Sequence, residues 1–435
     1  MLRRGGKIIA WLLIAALWVV SGCSVSDAGD RMVLRFNFWG TFRDLEFWKT
    51  VVADFEAANP DIKIRLEYIT GDYGFKLPLL MVSNTAADII LMDDELYPAY
   101  AARGYLEDLA PYIERDRSGL GLDEFLPTSL QSFTYRGLVA ALPWDGFAVL
   151  IFYNKDLFDR EGIPYPSNDW TWQEYREIAK RLTKDLDGDG RVDQYGSLIN
   201  FGWLDVEPIV WSYGADILNE DRTRFAMNSP RALEALNFIY DIKYKDHSVA
   251  WIGEMEGMLG DVQLLTGRVG MTPAGLFLMM TLVTHEHEGM RWGVAHMPVG
   301  PYGDRHTRVS WDGIAINKST PYKEEAWRFI KYVLSEPAQK LVGEMGRALP
   351  VRRDFALKYF VKPDTEAEEE RALEATEYGK LTPITPKYME LREAMNMEFD
   401  MLNIGKITPK EALDRMEPKV DEVLRKELAK WGRHE

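Results

Sequence analysis

Apolar and polar residues alternate along "VLRFNFW", Val33 to Trp39, with the period of a half-buried strand. Asp44 is placed to cap the next segment, where Leu45, Trp48, Val51, Val52 and Phe55 recur at helical spacing until Pro60 ends the run. Alternation returns over Ile62–Ile69, a helix is predicted from about Gly74 to Ser83, and "ADIILMDD" is a continuous apolar strand ending in carboxylates. This βαβαβ order predicts a parallel sheet with helices on both faces, whose ligands sit beyond the carboxyl ends of the strands. Trp39, Gly40, Thr41, Asp93, Asp94 and Glu95 all stand at such ends.

Farther along, "LVAALPWDGFAVLIFYNKDLFDREGI" carries a strand pattern into Pro143-Trp144-Asp145 and resumes it at Ala148. Proline and glycine are expected to interrupt the strand there, as suits a connection between two lobes. Thr171 with Glu174 forms a capping box at the head of "TWQEYREIAKRL", and Ser229 caps "PRALEALNFIYDI" with Pro230 at its first position. "VSWDGIAINKST" reads as a second strand crossing and "YKEEAWRFIKYVLS" as the helix after it. The tail from about Glu366 is helical and charged, so Trp431 within it is expected to stand apart from any site.

The N-terminus has a different character. Arg3, Arg4 and Lys7 precede thirteen apolar residues, Ile8 to Val20, and then the small residues Ser21 and Gly22. That is the layout of a secretory signal peptide, and the run is shorter than the roughly 20 residues a membrane span needs. Cys23 follows, the one cysteine in 435 residues, so no internal disulfide is available. Val20-Ser21-Gly22-Cys23 resembles a bacterial lipobox, which implies that Cys23 becomes the lipidated first residue of the mature chain. The resemblance implies acyl chains such as palmitate as an anchor to the bacterial cell membrane, and more than one chain is needed for stable attachment. Residues 24–30 would then be a polar tether.

Removing residues 1–23 takes away three basic side chains and no acidic one, leaving 49 Lys and Arg against 68 Asp and Glu, a net charge of −19. Nucleic acid and anionic lipid surfaces are poor partners for such a chain. Twelve of the fourteen tryptophans remain, and a large flat face with one donor suits a core or a ligand with an apolar face and a hydroxyl rim. The remaining length favours two domains, and the lack of a long linker between them implies several short crossings.

The order and spacing of "DFEAANPDIKIRLEY", "ADIILMDDELYPAYAARGYLEDL", "ALPWDGFAVLIFYNKDLF", "TWQEYREIAKRLT", "GRVGMTPAGLF", "WDGIAINKSTPYKEEAWRFIKYVLS" and "ALPVRRD" resemble the extracytoplasmic solute-binding proteins of ABC importers. The similarity is to their carbohydrate-binding branch, which includes maltose-binding protein. It implies an α/β, two-lobe periplasmic-binding-protein type II fold with interleaved domains and hinge crossings near Trp144–Ala148 and Ser310–Gly313. Lobe 1 would comprise residues 31–144 and 312–358, and lobe 2 residues 145–311 and 359–435. The implied protein is a monomer that closes on its ligand by hinge motion and delivers it to the membrane-spanning subunits of an importer.

Site residues follow from the resemblance segment by segment. Asp93, Asp94 and Glu95 lie where the family places sugar contacts, with Met92 standing where a family aromatic is usual. Phe277, after Gly275, occupies the place of a stacking residue. "FGWLDVEPIVW" suggests Trp203, Glu207 and Trp211 for the second lobe, the crossings suggest Trp144, Asp145, Trp311 and Asp312, and Arg352 is a further candidate. Trp-Asp pairs match a pyranose, whose C–H face needs an aromatic platform and whose hydroxyls need acceptors. Trp48 and Trp327 sit among apolar residues at helical spacing and are expected in the core.

"DLDGDGRVD" places Asp185, Asp187, Asp189 and Asp193 at the first, third, fifth and ninth positions of a calcium loop, but Gly196 replaces the glutamate at the twelfth. A solvated acidic turn is the main expectation, and a weak structural calcium site is the alternative. "HEHE" at 285–288 lacks zinc-binding spacing and is expected to be an exposed loop; no GxSxG, P-loop or GxGxxG motif occurs. No cofactor is called for. Two functions remain: a lipoprotein that binds a sugar or oligosaccharide outside the membrane without breaking a bond, and a membrane-anchored glycoside hydrolase using paired carboxylates.

Overall fold

The alternating residues of the first segment form the strand Met32–Phe38, which buries Leu34, Phe36 and Phe38 against Phe47, Trp48, Val51 and Phe55 of the helix Phe42–Ala58. A computed structural model describes residues 31–250, 260–284, 289–362, 369–383 and 385–432. The signal peptide, Cys23, the tether and the 285–288 loop lie outside the described residues. No described helix is long and apolar enough to cross a membrane.

Met32–Phe38 pairs in parallel with Ile62–Tyr68 on one side and Ile89–Asp93 on the other. The sheet then continues through Thr307–Ile316, Ala141–Asn154, Val269–Gly275 and Tyr195–Ser197, and Trp292–Ala295 also pairs with Ala141–Asn154. Thr307–Ile316 runs antiparallel to Ile89–Asp93 and to Ala141–Asn154, and its first residues also pair in parallel with Gly379–Leu381.

Ala141–Asn154 is one strand of 14 residues, so the expected interruption at Pro143–Asp145 is reduced to a bulge. Proline lacks the N–H that a ladder needs, and the irregularity is a bulge within this strand: Asp312 pairs with Asp145 and Gly313 with Pro143, which leaves Trp144 as the extra residue. Residues Ala141–Ala148 of this strand lie opposite Val309–Ala315, while Val149–Asn154 lie opposite Val269–Gly275 and Trp292–Ala295. One strand thus belongs to two half-sheets.

Its alternation also divides two cores. Ala148, Leu150 and Phe152 join the cluster that contains the first half-sheet, Trp48, Trp144, Trp311 and Trp327. Val149, Ile151 and Tyr153 join a second cluster with Trp170, Trp172, Leu236 and Phe399. Trp48 and Trp327 are buried as expected. The tail forms the helices Tyr388–Asn403 and Pro409–Trp431, which pack on each other and on Pro230–Tyr244.

Helix starts follow the sequence signals with one correction. Thr171 and Ser229 cap Trp172–Leu182 and Pro230–Tyr244. The first helix is capped at Thr41 and not at Asp44: the Asp44 carboxylate accepts hydrogen bonds from the Thr41 N–H (2.6 Å) and hydroxyl (2.8 Å). The acidic residue three positions into a helix closes a capping box from within.

Candidate functional site

Three neighbouring strands bring three aspartates side by side. Asp93, at the carboxyl end of Ile89–Asp93, lies opposite Asp312, and Asp312 lies opposite Asp145. Residues paired across strands project from the same face of a sheet, so the three carboxylates form a row. Asp93 Oδ1 accepts the Leu96 N–H at 2.7 Å, which ties off the turn into Tyr97–Ala101. The Asp312 side chain remains 23% exposed.

Arg347 is the cation of this floor. Its guanidinium donates to Asp44 and Asp145 and stands 3.8 Å from Asp312. One positive charge among three carboxylates leaves the row short of compensation. Burial acts on Asp44 to raise its pKa, but the charge and hydrogen bond of Arg347 outweigh it and hold the group below the usual carboxylate range. Asp312 lacks a direct hydrogen bond from Arg347. Its confined position, with Asp94 and Asp44 nearby, pushes its carboxyl up to about 8. Burial, then the charges of Glu95 and Asp94, drives Asp93 well above its ordinary value.

Aromatic rings stand just past the ends of the strands that border those of the row. Trp39, half-buried just past Phe38, lies 4.8 Å from Tyr73, whose hydroxyl donates to the Leu91 carbonyl at 2.6 Å. Between Trp39 and Thr41, Gly40 has φ +143°, and a Cβ there would come within 2.6 Å of the Asp44 side chain. On the second half-sheet, Phe277 is 49% exposed and meets Phe147 edge-on at 5.7 Å. A Cβ on Gly275 would lie 2.5 Å from Phe277 and 2.8 Å from Phe147, so glycine here makes room for both rings.

Several expected site residues are placed elsewhere. Trp144 is fully buried, stacked on Phe47 at 5.5 Å and against Trp48 at 4.7 Å; it is a core residue with no open face. Trp311 is equally buried and its Nε1 donates to Thr128 Oγ1 at 3.1 Å. In both Trp-Asp pairs strand alternation sends the aspartate to the floor and the indole to the opposite, core face.

On Trp203–Ser212, Trp203 donates to Asn396 at 2.6 Å and packs edge-on against Phe399, while Trp211 donates to Asp216 at 3.0 Å beneath Lys380. Glu207 is fully buried and accepts the Thr382 hydroxyl at 2.9 Å. Arg352 is engaged by Asp354 and lies over the Phe355 ring, so its neighbour five residues earlier supplies the arginine of the floor. Asp94 accepts from the Ser310 hydroxyl (2.9 Å) and the Trp311 N–H (3.3 Å), and Glu95 is taken by Arg308 and Arg392. Of the expected positions, Trp39, Gly40, Thr41, Asp93, Asp312 and Phe277 retain exposed surface outside the two cores.

The sequence reading missed Arg347, Asp44 as a floor residue, Tyr73, Arg308 and Arg392. "GRALPVRR" offers three arginines with no local mark to choose among them. Tyr73 had a usable signal, since it directly follows Asp72, the observed cap of Tyr73–Val82.

The acidic loop is exposed. The carboxylates of Asp185, Asp187 and Asp193 come within 4.8 Å of one another, and Asp189 is outside that group. Asp185 accepts the N–H groups of Gly188 and Gly190 at 2.7 and 2.8 Å, so main-chain bonds already satisfy it. Beside the loop a groove of about 1210 Å³ is lined by residues including Tyr195, Lys243, Tyr244 and Arg268, away from the aspartate row.

The profile of the bacterial extracellular solute-binding protein family matches residues 39–340. A putative binding protein of Brucella abortus (strain 2308) is 27% identical over 423 residues, which is 95% of this chain and 98% of that protein. An uncharacterized lipoprotein of Streptomyces antibioticus is 27% identical over 349 residues, 75% of this chain and 72% of the relative. Among solved structures, an ABC substrate-binding protein from Listeria monocytogenes in complex with cycloalternan aligns with a TM-score of 0.83 at 25% identity, covering 91% of this chain and 100% of that one. The mixed α/β fold matches the two-lobe fold of such proteins.

Proposed function

Because the chain belongs to the bacterial extracellular solute-binding protein family, we propose that it captures a sugar or oligosaccharide between its lobes and delivers it to the membrane-spanning subunits of an ABC importer. The row Asp93–Asp312–Asp145, followed two residues along the same strand by Phe147 with the exposed Phe277 packed on it, is the observation that carries this reading. Hydroxyl rims need closely set acceptors and C–H faces need flat rings, and the two lie together here. The carbohydrate-bound Listeria relative supports the ligand class, and the Streptomyces lipoprotein supports attachment through Cys23 outside the cytoplasm.

We place the hinge on the two shared strands, near Asp145–Val149 and Thr307–Asp312, with lobe 1 as residues 31–144 and 312–358 and lobe 2 as 145–311 and 359–435. Closure buries the ligand against the aspartate row. The family match and the carbohydrate-bound Listeria relative favour binding over glycoside hydrolysis.

The test is a thermal-shift screen of mono-, linear and cyclic oligosaccharides. A ligand at 100 times its dissociation constant adds about 2.7 kcal/mol of stability, an easily read rise in melting temperature. Saturable stabilisation by at least one carbohydrate is expected. A panel in which none stabilises, while an amino acid or peptide does, would overturn the ligand class.

A further inference from the structure

Glu95 lies in the turn that follows Ile89–Asp93, and its two carboxylate oxygens are held by arginines from separate elements. Arg308 Nη2 binds Oε1 and Arg392 Nη1 binds Oε2 at 2.6 Å. Arg308 lies on Thr307–Ile316 beyond the part that pairs with Ile89–Asp93, opposite Lys380 of Gly379–Leu381. Arg392 lies on the C-terminal helix Tyr388–Asn403, packed in the second core. Arg308 also stands 3.5 Å from Glu207 of the second-lobe helix Trp203–Ser212. Two carboxylates thus face two guanidiniums. Glu95, Glu207 and Arg308 are almost wholly shielded, whereas the Arg392 side chain is 34% exposed.

The positions differ in what a hinge motion does to them. Arg308 is four residues along the same strand from Asp312, about 13 Å at 3.3 Å per residue, so it turns close to the crossing. Arg392 reaches Glu95 from an element joined to lobe 1 only through packing and the crossings. Rotation of the lobes therefore strains the Arg392 contact first. Building on the two-lobe reading above, we propose that Glu95, Arg308 and Arg392 form an ionic clamp across the hinge, with Arg308 as its fixed jaw and Arg392 as its releasable one. The clamp sets the population of the lobe arrangement described here, and hence the fraction of molecules ready for ligand. Glu95 is on this view a positioning residue.

Cys23 is the only native cysteine, so a Cys23→Ser background accepts two spin labels cleanly. Val82→Cys and Leu186→Cys place them on exposed sites of the first and second lobe. Interspin distances are measured on the unliganded protein. Arg392→Met is expected to change the ratio of lobe arrangements about fivefold, as loss of a stabilisation near 1 kcal/mol would. Glu95→Gln should shift the distribution the same way. Arg392→Lys, which keeps the charge, should restore most of the wild-type distribution, and Arg328→Met, which breaks a pair with Asp61 inside lobe 1, should leave it unchanged. A wild-type distribution in Arg392→Met, or Arg392→Lys behaving like Arg392→Met, would overturn the clamp. Since no ligand is used, this result is independent of the carbohydrate screen: a clamp that responds as described in a protein that binds no sugar would remove the ligand class and leave the clamp standing.

Discussion

Trp144 and Phe277 are both large aromatic residues near the crossings, and the structure gives them opposite duties. Trp144 is walled in by Phe47, Trp48 and Arg347, so Trp144→Ala should open a cavity costing about 3–5 kcal/mol of folding stability, read by denaturant melts. Phe277→Ala, at a half-exposed position, should leave the melt nearly unchanged and weaken sugar binding about 30-fold, or ~2 kcal/mol, by calorimetry. Binding loss without destabilisation in Trp144→Ala would reverse the assignment. Asp312 adds a pH signature. Its carboxyl rises from the usual 3.8 to about 8 on folding, so the folded protein holds a proton that the unfolded chain releases. Stability is therefore retained at low pH and lost as pH rises from about 4 to about 8. Asp312→Asn should raise the melting temperature at pH 8 by about 2 °C or more and change little at pH 4, by scanning fluorimetry. Residue types at the strand ends were legible in the sequence because βαβ order predicts where ligands sit. Which face each side chain takes was not, since it depends on the register between Ala141–Asn154 and Thr307–Ile316, strands more than 150 residues apart.

Elements were the most readable level. Alternation in Val33–Trp39 and Ile62–Ile69, the Thr171 capping box and the Ser229-Pro230 start each encode their structure within a few neighbours, and each appears within a residue or two of its expected bounds. The continuity of Ala141–Asn154 was hidden because Pro143 breaks strands in isolation; it is tolerated beside the bulge at Trp144, opposite Asp312 and Gly313. Gly275→Ala should disturb the end of Val269–Gly275, because a methyl there meets two rings below 3 Å; lower melting temperature together with weaker sugar binding is the expected outcome. The Asp185–Asp193 loop tests the reverse case. Its carboxylates are exposed and Asp185 is satisfied by main-chain N–H groups, so a chelator should leave the melting temperature unchanged, and a calcium-dependent rise of several degrees would make the loop a metal site.

The whole molecule ties its tail to its head in a way local patterns do not disclose. At the end of Pro409–Trp431, the Gly432 carbonyl accepts from Arg136 at 3.0 Å and Arg103 lies 5.6 Å over the Trp431 ring, both arginines coming from lobe 1. The charged tail therefore touches both of the proposed lobes. At the other end, Cys23→Ser should release the protein from membranes in fractionation while sugar affinity stays unchanged, since the proposed anchor precedes both lobes; retention on the membrane would contradict lipidation at Cys23. Everything proposed about function converges on one place, the floor between the lobes. A crystal structure with the most stabilising carbohydrate from the screen tests it most directly: the sugar should lie on Asp93 and Asp312 with Trp39 and Phe277 against its C–H faces, whereas sugar in the groove beside Lys243 and Arg268, with the aspartate floor empty, would contradict it.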